Sequence, residues 1–223
     1  GDEAVLLLRS GIPVFVSRSR VRAAREIEAL GTYNVIILDD GLQHRALQRD
    51  LDIVSIFAGS ERAVQDFARG ALLPEGLFRE HRDRALKRAS LIVLSHRAVK
   101  EATALPPLDQ RLTRLLPTGK PVFQSYLRAQ GVGSLASLEP LAPQAVYAFA
   151  AIANPEGFYQ SLRELGFETI ECFSFPDHHR FRERELRSLF SRHPKARFVC
   201  TEKDAVKLAH LPRELVDRCA VLR

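Results

Sequence analysis

Methionine and tryptophan are absent from the 223 residues, and cysteine occurs only three times, as Cys172, Cys200 and Cys219. An odd count without CxxC spacing argues against both a disulfide framework and a zinc knuckle, so a reducing compartment is the simplest setting. No apolar run approaches the roughly 18 to 20 residues that cross a bilayer, and no signal peptide is recognisable ahead of the first β-type run. A soluble or peripheral chain is expected. Because it starts at Gly1 in "GDEAVLLLRSG" and lacks methionine, the chain is also expected to be a piece of a longer protein. A phosphate-cradling GxxxxGK[ST] is missing too. "PTGKP", Pro117 to Pro121, has the Gly-Lys but neither the earlier glycine nor a Ser or Thr after the lysine.

What is present suits one large or two modest domains, with 46% hydrophobic residues available for cores. Lys and Arg number 33 against 27 Asp and Glu, a net charge of +6 that favours phosphates, nucleic acid or an anionic membrane face without choosing among them. Single-strand nucleic-acid binding uses aromatic platforms, whereas the aromatics here are mainly Phe, many of them inside apolar runs. No nucleic-acid partner is expected, and the sequence sets no oligomeric state.

The spacing predicts alternating strands and helices. "GIPVFVSR" is a β-branched run, and "RVRAAREIEALG" carries the helical stripe Val21, Ala24, Ile27 and Leu30, stopped by Gly31. "VIIL", "LDIVSIF" and "ASLIVLS" read as short apolar strands of a parallel sheet, and the charged stretch from Gly59 to Lys87 as a functional or partly helical connection. "LPTGKP" is a turn-rich break. Beyond it come the strand "AVYAFAAIA", a helix capped by Asn154 with Pro155 in its first turn and Gly166 past its end, and the strand "FETIECFSF". A helix with Leu186, Leu189 and Phe190 on one face follows, and then "ARFVCTEKDAVKL", a strand running into a charged helix start. The expected organisation is α/β: a partial P-loop NTPase-like parallel-sheet domain over 1–118, then a smaller α/β domain over 119–223.

Ligands of open α/β sheets gather beyond the carboxyl ends of strands, where "VIILDDG" places Asp39 and Asp40. Adjacent side chains on a strand point to opposite faces, so both carboxylates serve one ion only if the backbone turns, which Gly41 permits. Mg²⁺ beside nucleotide phosphates needs only one or two carboxylates. The alternative is an ordinary Asp-Gly turn with the aspartate as its cap. A metal at Asp177, His178 and His179 is disfavoured, because three consecutive residues do not easily face one ion; a helix-start turn with Asp177 as cap is the other reading. Thr201 is expected to cap the helix that follows it, with Asp204 in the first turn. The Arg and Lys of "RSRVRAAR", "HRDRALKR" and "HHRFRERELR" read mainly as solvated helix faces.

Five motifs in order, "DDGLQH", "LQRDLDIV", "LPEGLFRE", "FPDHHRF" and "TEKDAVKL", make nearly the whole chain resemble the tetraacyldisaccharide 4'-kinase family, the lipid A 4'-kinases. The resemblance implies ATP-dependent phosphorylation of the 4'-hydroxyl of an acylated glucosamine disaccharide 1-phosphate. It also implies Mg²⁺ and a peripheral place on the anionic cytoplasmic face of the inner membrane. In that family a P-loop in an N-terminal segment holds ATP, so here it is expected upstream of Gly1, and catalysis depends on it.

Residue by residue, Asp39 and Asp40 match the paired acids, with Asp40 facing Mg²⁺. Glu80 matches an acid near the metal and phosphates, although "LPEGLFRE" departs from the family's more usual "LPAGPLRE" at Glu75, Leu77 and Phe78. Gln43 and His44 share the first motif without an assigned role. Asp2 of "GDEA" matches the acid of the family's "GDEP", with Ala4 in place of the proline. His178 matches a histidine that forms a dyad with that acid near the acceptor hydroxyl. "TEKDAVKL" is expected to be structural, at the junction of the domains. The competing expectations are a non-catalytic or truncated protein of the kinase fold and, further off, a basic nucleic-acid-binding module.

Overall fold

Ser19 stands in extended backbone and its hydroxyl accepts from the Arg22 amide, while Gly31 turns left-handed at φ 64°; between them the stripe expected from sequence buries Ala24 and Ile27. The same logic of cap, stripe and glycine stop recurs along the chain. In the computed structural model residues 2–97 and 108–223 are described. The elements begin with α1 (Asp2–Arg9), α2 (Arg20–Leu30), β1 (Ile53–Phe57), α3 (Glu61–Arg69), α4 (Arg82–Arg88) and β2 (Leu91–Arg97). Next come α5 (Gln110–Thr113), β3 (Val122–Leu127), β4 (Val132–Ser134), β5 (Ala145–Ala150), α6 (Pro155–Glu164) and β6 (Glu168–Ser174). The chain closes with α7 (Glu183–Ser191), β7 (Phe198–Thr201), α8 (Glu202–Lys207), α9 (Arg213–Val216) and β8 (Cys219–Leu222).

These elements form two compact units. One runs from Val16 to Arg128; the other joins Gly1–Phe15 to Ala129–Arg223. The expected break at residue 118 therefore moves. β3 pairs in parallel with β2, Ile92 opposite Val122 through Arg97 opposite Leu127, so hydrogen bonding carries it into the first sheet. The first fifteen residues go the other way, because α1 packs on α8. The two units are of nearly equal length.

In the unit of residues 16–128 the sheet order is β1-β2-β3, all parallel. Val54, Ile56, Ile92 and Leu94 point into a core closed by Val64 and Phe67 of α3, Leu86 of α4 and Leu112 of α5. On the strands' other face Ser55, Ser95 and Ser125 form a hydroxyl ladder, Ser55 to Ser95 at 3.2 Å and Ser125 to Ser95 at 3.0 Å. The expected strands "VFV" and "VIIL" do not form. Residues 12–17 and 35–38 are irregular, with Val16 76% and Ile37 87% exposed. β propensity supplies side chains that suit a pleated surface, but a strand needs a ladder, and among the described residues neither run belongs to a sheet.

The lysine of "PTGKP" is accounted for as well. Lys120 Nζ donates to the carbonyls of Leu86 at 2.8 Å and Lys87 at 2.9 Å and also to Ala89 O, closing the C-terminus of α4. Its donors serve a helix end, not a phosphate.

The other unit carries a five-stranded sheet in the order β4-β8-β7-β5-β6, parallel except for the β4 edge. It is covered on both sides. Phe149, Phe198 and Cys200 pack against α7 through Leu186 and Phe190 and against Leu208 and Leu215. Val146, Ala148, Ala150 and Val199 pack against Phe158, Tyr159 and Leu162 of α6. All three cysteines are free. Burial pushes the Cys219 thiol up to about 12, which leaves it protonated and unreactive at neutral pH.

Candidate active site

In each unit the sequence-expected site residues stand among other charged groups. In the unit of residues 16–128 the first of them lie in the loop after Leu38. Asp40 adopts a left-handed backbone, φ 49°, which an aspartate tolerates better than most residues. Gly41 follows in a tight spot where an added Cβ would lie 2.6 Å from Leu38 Cβ. The Arg20 guanidinium fixes this turn, donating to Asp39 O at 3.0 Å and Asp40 O at 3.2 Å. Asp40's side chain is 58% exposed and pairs with Arg79.

Glu80 is the reverse, with only 11% of its side chain exposed. Arg88 grips it with two parallel bonds, 2.6 Å to Oε1 and 2.7 Å to Oε2, while Gln43 donates at 3.4 Å and Arg45 lies 3.5 Å away. The hydrogen-bonded Arg88, against the opposing cost of burial, holds the Glu80 carboxyl down to about 2. Gln43 thus gains a function in the loop that its position in the motif did not reveal. His44 donates its amide to Gly41 O at 2.9 Å, closing the turn.

No cluster of three His, Cys, Asp or Glu side chains suited to a metal occurs among the described residues. Asp40 has one oxygen engaged by Arg79, which leaves the other for a hard cation such as Mg²⁺. Glu80 has both oxygens engaged by Arg88, so a metal there would share them.

In the other unit the candidates come from opposite ends of the sequence. Asp2 begins α1, and His178 sits in the loop after β6 at φ 59°, a left-handed position for a non-glycine residue. The His178 amide donates to Asp177 Oδ1 at 2.9 Å. Its ring lies between two acids: Nδ1 is 3.5 Å from Asp2 Oδ2, and Nε2 is 3.7 Å from Asp177 Oδ2. His179 goes elsewhere. It bonds Glu185 at 2.8 Å and stacks on Phe175, so the two adjacent imidazoles serve different carboxylates rather than one ion.

The expected helix cap at Thr201 forms, its hydroxyl accepting from Asp204 N at 3.1 Å. The sequence reading missed what lies behind it. Lys207 Nζ is 2.9 Å from Asp204 Oδ1 and 3.7 Å from Asp2 Oδ2, and Lys203 Nζ is 3.4 Å from Glu3 and 3.6 Å from Asp177. The i,i+4 spacing of the two lysines places them on one face of α8, a signal present in "TEKDAVKL" once the helix is known. Beside them opens a cleft of about 1030 Å³ whose lining includes Asp2, Arg180, Arg182, Arg184, Lys207 and His210. It is lined by more cations than acids, and its wall carries Asp2. No helix among the described residues is long and apolar enough to cross a membrane.

Comparison with known proteins agrees across the whole chain. A family model described as tetraacyldisaccharide-1-P 4'-kinase matches residues 1–223. A tetraacyldisaccharide 4'-kinase from Anaeromyxobacter sp. (strain K) is 39% identical, the match covering 100% of this chain and 60% of that protein. One from Syntrophus aciditrophicus is 36% identical over 98% of this chain and 61% of that protein. A crystal structure of LpxK from Aquifex aeolicus in complex with ATP superposes with a TM-score of 0.66 at 27% identity, covering 100% of this chain and 63% of that one. The chain thus spans about 60% of the length of the curated relatives it matches.

Proposed function

The chain belongs to the tetraacyldisaccharide-1-P 4'-kinase family, and we propose that the protein carrying it transfers a phosphoryl group from ATP to the 4'-hydroxyl of a tetraacyl glucosamine disaccharide 1-phosphate, in lipid A assembly. The observation that carries this reading is the pairing of Asp2 with His178, residues 176 positions apart in sequence whose Oδ2 and Nδ1 atoms stand 3.5 Å apart.

A sugar hydroxyl is a weak nucleophile, and a positioned base adds about 10² to 10⁴ in rate. With the imidazole proton on Nδ1 facing Asp2, the Nε2 lone pair takes the hydroxyl proton as the oxygen attacks the γ-phosphorus of ATP and the bond to the β–γ bridging oxygen breaks, releasing ADP. The imidazolium that forms then has Asp2 on one side and Asp177 on the other, so its positive charge is matched as it develops. The 3.5 Å separation is longer than a good hydrogen bond, and such contacts commonly tighten when substrate binds.

Asp39, Asp40 and Glu80 are proposed to face the nucleotide. Asp40 would hold Mg²⁺, with Glu80 beside it at the metal and phosphates. When bound, the metal neutralises charge on the phosphates during transfer. Arg88 keeps Glu80 ionised through that cycle, and Arg20 keeps the Asp39–Asp40 turn in shape. The cation-rich cleft next to Asp2 supports an anionic acceptor. Leu8 and Ile12, both exposed on the same unit, are compatible with contact with a membrane surface.

The test gives the full-length protein ATP, Mg²⁺ and the disaccharide lipid. Phosphorylated lipid is expected. Its absence where a known 4'-kinase forms product would overturn the reading.

A further inference from the structure

Building on that reading of Asp2 and His178, we propose that Lys207 is a positioning residue for the pair: its ammonium group, anchored in the core by Asp204, holds the Asp2 carboxylate against the His178 ring.

Lys207's side chain is only 6% exposed, and Asp204's is fully buried. A buried charge without a partner is costly, and this cluster leaves none. Asp204 Oδ2 accepts from the Thr201 hydroxyl at 2.7 Å and from the Ala151 amide at 3.1 Å, so the backbone just past β5 and the residue that caps α8 fix it. Its Oδ1 takes the lysine at 2.9 Å, and the same Nζ lies 3.3 Å from Ala151 O. These contacts already satisfy the ammonium group as far as stability requires. Its approach to Asp2 Oδ2, at 3.7 Å, is an additional contact directed away from the core, towards α1.

Asp2 Oδ2 is also the oxygen that faces His178 Nδ1. One atom of Asp2 therefore stands between a fixed cation and the catalytic ring. Two carboxylates share one ammonium, a cluster one negative charge in excess, and a proton arriving on His178 removes that excess. Lys203, one turn earlier on α8, repeats the arrangement alongside, reaching Glu3 and Asp177, the immediate neighbours of the pair. α8 thereby braces both members, α1 on one side and the Asp177–His178 loop on the other. This gives "TEKDAVKL" a purpose beyond a strand-to-helix connection.

Lys207→Met alone would strand the Asp204 charge and can fail to fold, so the deciding variant is K207M/D204N, which removes both charges together. In the full-length protein it should keep a thermal midpoint within a few degrees of wild type and a KM for ATP close to wild type. Its kcat should fall roughly tenfold, a coupling ordinary for groups in one ion-pair network. Adding Asp2→Asn should slow it no further than Asp2→Asn alone. Wild-type kcat in K207M/D204N, or a loss that multiplies fully with that of Asp2→Asn, would overturn the proposal. Wild-type kcat in Asp2→Asn itself would instead overturn the catalytic reading on which it rests.

Discussion

The runs "AVYAFA" and "VIIL" read alike in sequence and meet opposite fates. In the first, β5 lies between β6 and β7, and Val146 and Phe149 are sealed from solvent; in the second, Val35 is 74% exposed and no strand forms. The difference is partnership. A central strand satisfies its backbone on both edges and buries both faces, whereas the same residues without a ladder keep only their propensity. The charged sites of the two units differ in a parallel way. Glu80 is saturated by Arg88, while Asp2 is shared between a fixed lysine and the His178 imidazole.

The largest test of this contrast is packing. Phe149→Ala should cost about 3–5 kcal/mol of stability by leaving a cavity, and Ile37→Ala less than about 0.5 kcal/mol, both measured by denaturant unfolding. A loss of several kcal/mol at Ile37 would mean that its run is packed after all. Next in size is Asp40→Asn. The exposed Asp40–Arg79 pair contributes little to folding, so the unfolding midpoint should hold while Mg²⁺-dependent turnover drops roughly a hundredfold, the scale of a lost metal contact. Unchanged turnover across a Mg²⁺ titration would remove Asp40 from the metal.

The smallest effect separates Glu80 from the rest. Its folded value, about 2, lies below the unbound 4.5, so its contribution to stability is complete above about 4.5 and is lost as pH falls towards 2. Glu80→Gln should therefore flatten the fall in stability through that window relative to wild type, followed by unfolding at successive pH values. Parallel curves would show that Arg88 does not hold the Glu80 charge.

Much of the fold could be read from the sequence where local signals and tertiary context agree. The stripe of α2 with its Gly31 stop and the buried Leu186, Leu189 and Phe190 of α7 are cases. The division into units could not, because the affinity of α1 for α8 is a contact between residues some 200 apart with no local mark. It changes the account of the site: Asp2 and His178 belong to one unit, so no movement of separate lobes is needed to pair them. Among the proposed site residues, Asp39 and Asp40 stood out by their acidic pair before a glycine, and Glu80, Asp2 and His178 only through the resemblance to the family. Arg20, Arg88 and Lys207 were not legible, since among 33 Lys and Arg residues only three-dimensional distance distinguishes those that hold the acids.

The central claim is that Asp2 and His178 act as one proton-accepting unit. Single-turnover rates of Asp2→Asn, His178→Ala and the double variant in the full-length protein test it most directly. The account predicts that each single variant is slowed by about 10² to 10⁴, and that the double is no slower than the slower single. Losses that multiply in the double variant, or a single variant as fast as wild type, would contradict it.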